Sequence, residues 1–552
     1  INEDLNRRKG KDSMYRYDAF RKQAKAKGMH FAEWGQGSRD QVGCFIMEHL
    51  SRLGLIVMDV APPRGNRALR PPLGVYLAAD VTEQIDRIKE QTALTRPFYG
   101  PCVEPPKDWT SWTSGGWHTP VMRRILPFPV KARSTVRDAL KTHDMPTVLA
   151  CLNTLQKTPW RVNTWIMETI EAVARIRNTG EIVMAEPEAK PAALSWFEEV
   201  GDGERTPEQE EEFKGWKSAM AAWYTRAKLQ RAARHRLGTA LRQARDYAPY
   251  PAIYFVHFCD SRGRVYPQSQ GLTPQGSDLQ KALIHFAEGK PIHDPVARFW
   301  FMVQGANKFG FDKAPLDQRA TWHIGKEELI LAMADAPLDN QQWLDCDNPC
   351  QFLAWCKEYA AWYRDPENFV SHLPVSLDGS CSGLQHFSAM LRDEVGGRAT
   401  NLMPSPIMQD IYRAVAEAAT ARMQADSPEE PEAQEYRSQW LSAGITRSVT
   451  KRSVMTTPYG VTKRSATKYV IEDYLRATQN QFDPKKHYGM AHYLMEHVWP
   501  AIGDVVVKGR EAMDWLTLSA KSIIKQGAAP DGDITWVTPS GFLASQAYYE
   551  TE

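Results

Sequence analysis

A chain of 552 residues is too long for one hydrophobic core and allows three or four subdomains. Lys and Arg (68) barely exceed Asp and Glu (66), so nucleic-acid binding would have to come from local basic clusters and not from a global excess of charge. No apolar run is long enough to span a bilayer and no charged-then-apolar leader occurs, which predicts a soluble, non-secreted chain; the eight cysteines form neither a disulfide ladder nor a paired CxxC zinc signature and fit a reducing cytoplasm.

The chain opens on Ile1 inside a charged segment, which leads us to expect further sequence upstream. In residues 41–60, Val42, Phe45, Ile46, Leu50, Leu53 and Leu55 recur at helical spacing and predict an amphipathic helix ending near Gly54. Pro, Gly and Trp dominate 62–74 and 101–117, the material of loops and edge strands, with the tryptophans expected to pack on their own domain. From Asp138 to Tyr247 the composition turns helical, with Trp160, Ile166 and Ile170 on one face. Thr206-Pro207-Glu208-Gln209 has the cap, first-turn proline and third-position glutamine of a capping box. The helix it starts carries a row of Lys and Arg from Lys214 to Arg245, either a solvated face or a track for phosphates.

Arg262 and Arg264 flank Gly263, where a backbone without a side chain lets a polyanion come close; ion pairing with Asp260 and Asp278 is the competing use. Cys346, Cys350 and Cys356 lie in or beside an aromatic, helix-like stretch and read as core packing. Val375-Ser376-Leu377 alternates like a half-buried strand that ends at Asp378-Gly379-Ser380, and Leu384, Phe387, Met390 and Leu391 predict the helix that follows. A carboxylate at that junction is either a helix cap or, held toward a cleft beside a glycine, a ligand for magnesium. Gly379-Ser380-Cys381-Ser382-Gly383 also has the glycine spacing of a nucleophile elbow, with Cys381 as nucleophile and His487, His492 or His497 as its partner, whereas P-loop and HExxH signatures are absent. Arg447 and Lys451 stand four apart on one helical face with no acid between them, a repulsion that a bound triphosphate would relieve; Arg452 points elsewhere. Pro458 should end or bend that helix before Tyr459-Gly460 and leave an aromatic hydroxyl at its exit.

Residues 376–402, SLDGSCSGLQHFSAMLRDEVGGRATNL, resemble the first catalytic motif of the single-subunit DNA-directed RNA polymerases of T-odd podophages and their mitochondrial relatives. Further blocks resemble the same family: PCVEPPKDWT at 101–110, Asp260 through Lys290-Pro291, Arg447 to Gly460, and Trp536 to Phe542. The resemblance implies an α+β, mostly helical, right-hand polymerase architecture. A partial N-terminal domain would cover 1–137, a helical thumb 138–248, a palm 249–395 with inserted helices at about 293–365, and fingers 396–552, the palm being incomplete. It implies that Asp378, helped by the Gly379 carbonyl, binds two catalytic Mg2+ ions. Arg447, Lys451, Met455, Tyr459 and Gly460 would bind the incoming ribonucleoside triphosphate, Lys451 also protonating the leaving pyrophosphate and Tyr459 helping to select ribose. Arg262, Arg264 and Lys281 would contact nucleic acid. The implied partners are DNA template and promoter, RNA product and ribonucleoside triphosphates, without a membrane, and the implied setting is a monomer in the cytoplasm of an infected bacterium. The family's second magnesium-binding Asp lies in a later His-Asp-Ser motif, and no HDS occurs in these 552 residues. The chain is therefore expected to be truncated at both ends and inactive alone, with a nucleic-acid-binding remnant as the alternative to an enzyme.

Overall fold

Helices dominate the computed structural model, which describes residues 36–60, 73–85, 99–118, 139–176, 182, 189–197, 205–476, 482–526 and 534–546. The charged opening and most of the first Pro/Gly-rich stretch lie outside the described residues. The chain divides into two units, 1–98 and 99–552. In the first, α1 (Gln36–Arg52) stops just before Gly54, whose φ of 69° turns the backbone into β1 (Ile56–Val60), paired antiparallel with β2 (Leu73–Leu77). The helix ends where the glycine predicts, but Ile56 to Val60 form a strand: β-branched side chains after a left-handed turn favour pairing over another helical turn.

The second unit begins with a hairpin, β3 (Lys107–Ser111) and β4 (Ser114–Gly116), followed by α2 (Pro146–Gln156), β5 (Trp160–Val162), α3 (Thr164–Ile176) and α4 (Pro207–Tyr247). Trp109 is buried and donates Nε1–H to the His257 carbonyl at 3.0 Å, 148 residues on in the chain. The capping box forms, with Gln209 N–H on Thr206 Oγ1 at 3.3 Å and Thr206 N–H on Gln209 Oε1 at 3.0 Å. The helix it starts runs 41 residues, on the order of 60 Å. Apart from Met220, its buried side chains, Leu237, Ala240, Leu241, Gln243 and Ala244, gather at the C-terminal end, while Lys228 and Arg231 ride an exposed middle stretch.

Next come β6 (His257–Cys259), β7 (Val265–Pro267), α5 (Asp278–Ala282), β8 (Ile284–Phe286), β9 (Lys290–Pro291), α6 (Pro295–Phe309), α7 (Leu316–Ala320), α8 (Glu327–Asp335), α9 (Pro349–Arg364) and β10 (Val370–Ser371). The strands pair antiparallel in twos, β6 with β7, β5 with β8, β9 with β10. These helices enclose the first core around Phe352, Trp355, Tyr359 and Trp343; Cys350 and Cys356 are buried in it, as the sequence suggests. A Cβ at Gly305 would overlap the Trp355 indole, so only glycine lets α6 pass so close to α9. The second core gathers α10 (Ser382–Leu391), α11 (Glu394–Ala399), α12 (Ile411–Ala425), α13 (Pro431–Ala443), α14 (Arg447–Met455), α15 (Lys463–Val470) and α16 (His487–Val505) around Trp440, Met490 and Leu494, and α17 (Val507–Lys525) lies against α10 and α11. A third joins Trp109, Leu140, Leu152 and Val256 to Phe542 and Ala544, from the hairpin of β11 (Ile534–Val537) and β12 (Leu543–Gln546).

The strand expected over 375–377 is not formed. Among the described residues no strand lies beside it, and Val375 and Leu377 face solvent. Alternation makes a strand only where a ladder partner exists, and here side chains take that place. The root of the segment is fixed by Glu358 of α9, which accepts from Ser371 Oγ at 2.5 Å and from His372 N–H at 3.0 Å. Burial pushes the Glu358 carboxyl up to about 7. Beside it, burial and then the Arg161 guanidinium push His285 down to about 3. Between pH 4.5, its ordinary value, and about 7, folded Glu358 holds a proton that the unfolded chain has lost, so its contribution to stability falls as pH rises through that window and levels off above it. His285 acts oppositely, costing stability as pH falls below its ordinary 6.5. Comparing Glu358→Gln with the parent isolates the first effect: urea unfolding at pH 5 and pH 8 should show the parent losing roughly 2 to 3 kcal/mol relative to the variant. A pH-independent difference would mean that Glu358 does not titrate there.

Candidate active site

Asp378 lies in a tight turn. Its Oδ1 accepts the N–H of Gly379 at 2.8 Å, and the Gly379 carbonyl accepts from Cys381 N–H at 3.1 Å. The cap position of α10 belongs to Cys381, in the left-handed region at φ 60° and without a side-chain cap bond, so Asp378 does not cap the helix. Its carboxylate is exposed and has no ion-pair partner among the described residues. Cys381 has the backbone twist of an elbow, but its thiol adjoins the Tyr412 hydroxyl, and burial together with that thiol pushes Tyr412 up. Of the candidate bases, His492 faces Glu496 and His497 faces Asp426, and no hydrogen bond joins any of the three to Cys381 among the described residues.

The two sequence motifs meet directly. A Cβ on Gly383 would stand 3.2 Å from Cβ and Cγ of Pro458, and Leu384 shares the second core with Val449 and Val454 of α14. As predicted, the helix ends at Met455; Pro458 sits in a 3-10 turn, Thr457–Tyr459, and Gly460 exits at φ 75°. Arg447 Nε donates to Asp410 Oδ2 at 2.6 Å, and its guanidinium lies 4.9 Å from the Tyr412 ring centre. Asp410 also caps α12 through Tyr412 N–H at 3.0 Å and Arg413 N–H at 3.3 Å. Sequence reasoning missed this acid because it is 37 residues from Arg447; its one local signal was an Asp just before an apolar run. Lys451, a turn further on, is exposed and has no ion-pair partner among the described residues, and Met455 is exposed at the helix end. Arg452 does point elsewhere, to Asp473 at 2.9 Å and Glu472 at 3.3 Å.

Tyr459 is tied across to the arginine loop: its hydroxyl accepts from Arg264 Nη2 at 2.8 Å, and this contact holds the Arg264 guanidinium above its usual range. Arg262 instead grips Asp260 through Nε at 3.0 Å and Nη2 at 2.6 Å, while Asp260 Oδ1 accepts the N–H groups of Arg262 and Arg264. Burial alone would raise the Asp260 carboxyl, but Arg262 and these N–H groups hold it below its usual range. Gly263, at φ 79°, passes over the Phe542 ring. Asp278 does not pair with the arginines; it accepts from Cys350 N–H at 2.7 Å and Gln351 N–H at 3.1 Å at the start of α9. Lys281 is exposed on α5 and lines a cavity of about 140 Å3 with Gln304 and Ser376. The structure thus brings Arg264, Tyr459, Pro458, Gly383 and the Asp378 turn into one chain of contacts, with Arg447 behind it. Among the described residues no cluster of three His, Cys, Asp or Glu side chains is placed to hold a metal ion; Asp378 fits as one carboxylate ligand with the Gly379 carbonyl beside it, and not as a complete set.

The family of DNA-dependent RNA polymerases matches residues 293–552. The T7 RNA polymerase of Escherichia phage T7 is 34% identical over 514 residues, covering 86% of this chain and 56% of that protein. The DNA-directed RNA polymerase of Enterobacteria phage K11 is 32% identical over 560 residues, 94% of this chain and 60% of that protein. The mitochondrial DNA-directed RNA polymerase of Homo sapiens is 31% identical over 479 residues, 84% and 37% respectively. The chain therefore spans 56% and 60% of the length of the two phage relatives it matches. Asp410 gives a test of the geometry alone. Asp410→Ala loses both the cap and the Arg447 partner and should lower stability by about 1 to 3 kcal/mol in urea unfolding. Asp410→Asn keeps the capping oxygen and should lose less; equal losses would place the whole cost in the ion pair.

Proposed function

We infer the function from kinship and geometry together: the chain belongs to the single-subunit, phage-type DNA-dependent RNA polymerases, and we propose that it carries out template-directed nucleotidyl transfer from ribonucleoside triphosphates in transcription. The observation that carries this reading is the meeting of an exposed Asp378 turn, without an ion-pair partner among the described residues, with the Lys451 helix and the Arg264 loop, through Gly383 against Pro458 and Arg264 on Tyr459. The 3′-hydroxyl of the RNA attacks the α-phosphorus of the incoming nucleotide, and the bond to pyrophosphate breaks. Asp378, with the Gly379 carbonyl, would hold one side of two Mg2+ ions, which would supply activation of the nucleophile and stabilisation of the leaving oxygen. Two such cations would call for a second carboxylate besides Asp378.

Lys451, without an acid paired to it among the described residues, takes the triphosphate and gives a proton to the departing pyrophosphate oxygen. Arg447 reaches the same phosphates from a guanidinium already steadied by Asp410 and by the Tyr412 face. Met455, Tyr459 and Gly460 face the sugar, with the Tyr459 hydroxyl as the polar group that a 2′-hydroxyl satisfies. Arg262, Arg264 and Lys281 lie along template and product, and the cationic stretch of α4 tracks their phosphates. In this reading 1–137 is part of an N-terminal domain, 138–248 the thumb, 249–395 the palm and 396–552 the fingers. The protein works as a monomer on promoter DNA in the cytoplasm of an infected bacterium; among the described residues no helix is long and apolar enough to cross a membrane.

In the full-length protein, Asp378→Asn should abolish nucleotide addition and leave binding of primed template nearly unchanged, because the amide keeps the shape and loses the charge a metal requires. Lys451→Met should lower kcat/KM for ribonucleotides by about 10- to 100-fold, the effect of losing roughly 1.5 to 3 kcal/mol of charge-assisted contact. Parental extension rates in the Asn variant would remove Asp378 from the metal site.

Tyr459→Phe should still extend RNA and should admit deoxyribonucleotides more readily. The site then no longer holds a polar group that is left unpaired by a missing 2′-hydroxyl, and Arg264 loses its acceptor. The ratio of kcat/KM for ribo- and deoxyribonucleotides reads this directly, and an unchanged ratio would remove Tyr459 from sugar selection.

A further inference from the structure

In a parallel sheet, the residue beside residue i donates its N–H to the carbonyl of i−1 and accepts on its own carbonyl from the N–H of i+1. A single side chain does this for Val375. Gln304, in α6 and only 4% exposed, donates Nε2–H to the Pro374 carbonyl at 3.0 Å and accepts the Ser376 N–H on Oε1 at 3.1 Å. One turn along the same face, the buried Lys308 donates Nζ–H to Ser376 Oγ at 3.4 Å. Upstream, the His372 carbonyl accepts from Phe286 N–H at 3.0 Å. From Ser376 only Leu377, exposed and without packing, separates this tether from Asp378.

We propose that Gln304 is the positioning residue for the Asp378 carboxylate: its carboxamide serves as a one-residue substitute strand that holds the preceding backbone extended and so fixes where Asp378 presents its charge. The inference rests on the reading of Asp378 as a Mg2+ ligand. No other natural side chain of similar length has a planar donor and acceptor spaced like a peptide group. A methionine of similar volume satisfies neither backbone group, and a glutamate keeps the acceptor for Ser376 but sets a second oxygen against the Pro374 carbonyl. Without the tether, the two residues before Asp378 regain backbone freedom, and part of the metal's binding free energy goes into reordering them.

The test uses the full-length protein and Mn2+ alone as probe, with free Mn2+ followed by electron paramagnetic resonance, beside the Mg2+ dependence of nucleotide addition. Gln304→Met should weaken Mn2+ binding and raise the half-maximal Mg2+ concentration by about tenfold or more, the scale of losing an outer-shell partner. Excess Mg2+ should restore much of the rate, and KM for ribonucleotides and binding of primed template should stay at parental values. If Gln304→Met does not fold, Gln304→Glu carries the same test with a smaller expected shift. Parental Mn2+ affinity in a folded Gln304 variant, with Asp378→Asn losing it, overturns the proposal. Parental affinity in Asp378→Asn overturns instead the reading of Asp378 on which it stands.

Discussion

The site depends on one close approach, that of Gly383 to Pro458. The helix after the Asp378 turn and the turn after the Lys451 helix come this close because Gly383 presents no side chain; a Cβ there would stand 3.2 Å from the proline ring and push the two apart by a few tenths of an ångström. Everything else is arranged around that contact. Leu384 and Val454 close the core behind it, Cys381 and Tyr412 fill the flank, and the proline's fixed backbone delivers Tyr459 to Arg264. The Asp378 turn and the Lys451 helix are thus held by van der Waals contact, which is stiff, and not by charge attraction, which salt and water would weaken.

Charge is the second organising feature, and the near-zero net charge conceals it. Arg262, Arg447 and Arg452 each have an acid within 3.0 Å, so their charge is locally answered and they act as struts. Lys451 and Asp378, by contrast, are exposed groups of opposite sign without ion-pair partners among the described residues. Pairing the guanidiniums and leaving these two open concentrates the demand for counter-charge at one place.

How much of this was legible in the sequence follows from how local each cause is. The capping box at Thr206, the stop at Pro458 and the helix end at Gly54 depend on residues within a few positions, and all appear where the pattern puts them. So do the divergence of Arg452 and the core burial of Cys350 and Cys356. The strand at Val375-Ser376-Leu377 failed because a strand is a property of a pair, and the partner turned out to be a glutamine side chain 72 residues upstream. Asp410 was invisible as the counter-ion of Arg447 for the same reason, and the arginine loop's link to Tyr459 spans 195 residues. Family resemblance supplied roles for these residues, but not the contacts that hold them.

The hairpin that carries Phe542 bears on the order of assembly. Phe542 lies under Gly263 and in one core with Trp109, Leu140 and Val256, and His143 donates Nε2–H to the Gly541 carbonyl at 2.7 Å across 398 residues. A ribosome makes these partners far apart in time. At about 5 to 20 residues per second, the earlier half of this core waits some tens of seconds, its tryptophan uncovered, for the segment that seals it. The first core, by contrast, is complete once residue 369 has emerged. Synthesis therefore imposes a sequence on folding: the first core forms early, and the third closes only when the hairpin arrives, leaving the nascent chain open to chaperones and to its neighbours on the same message until then.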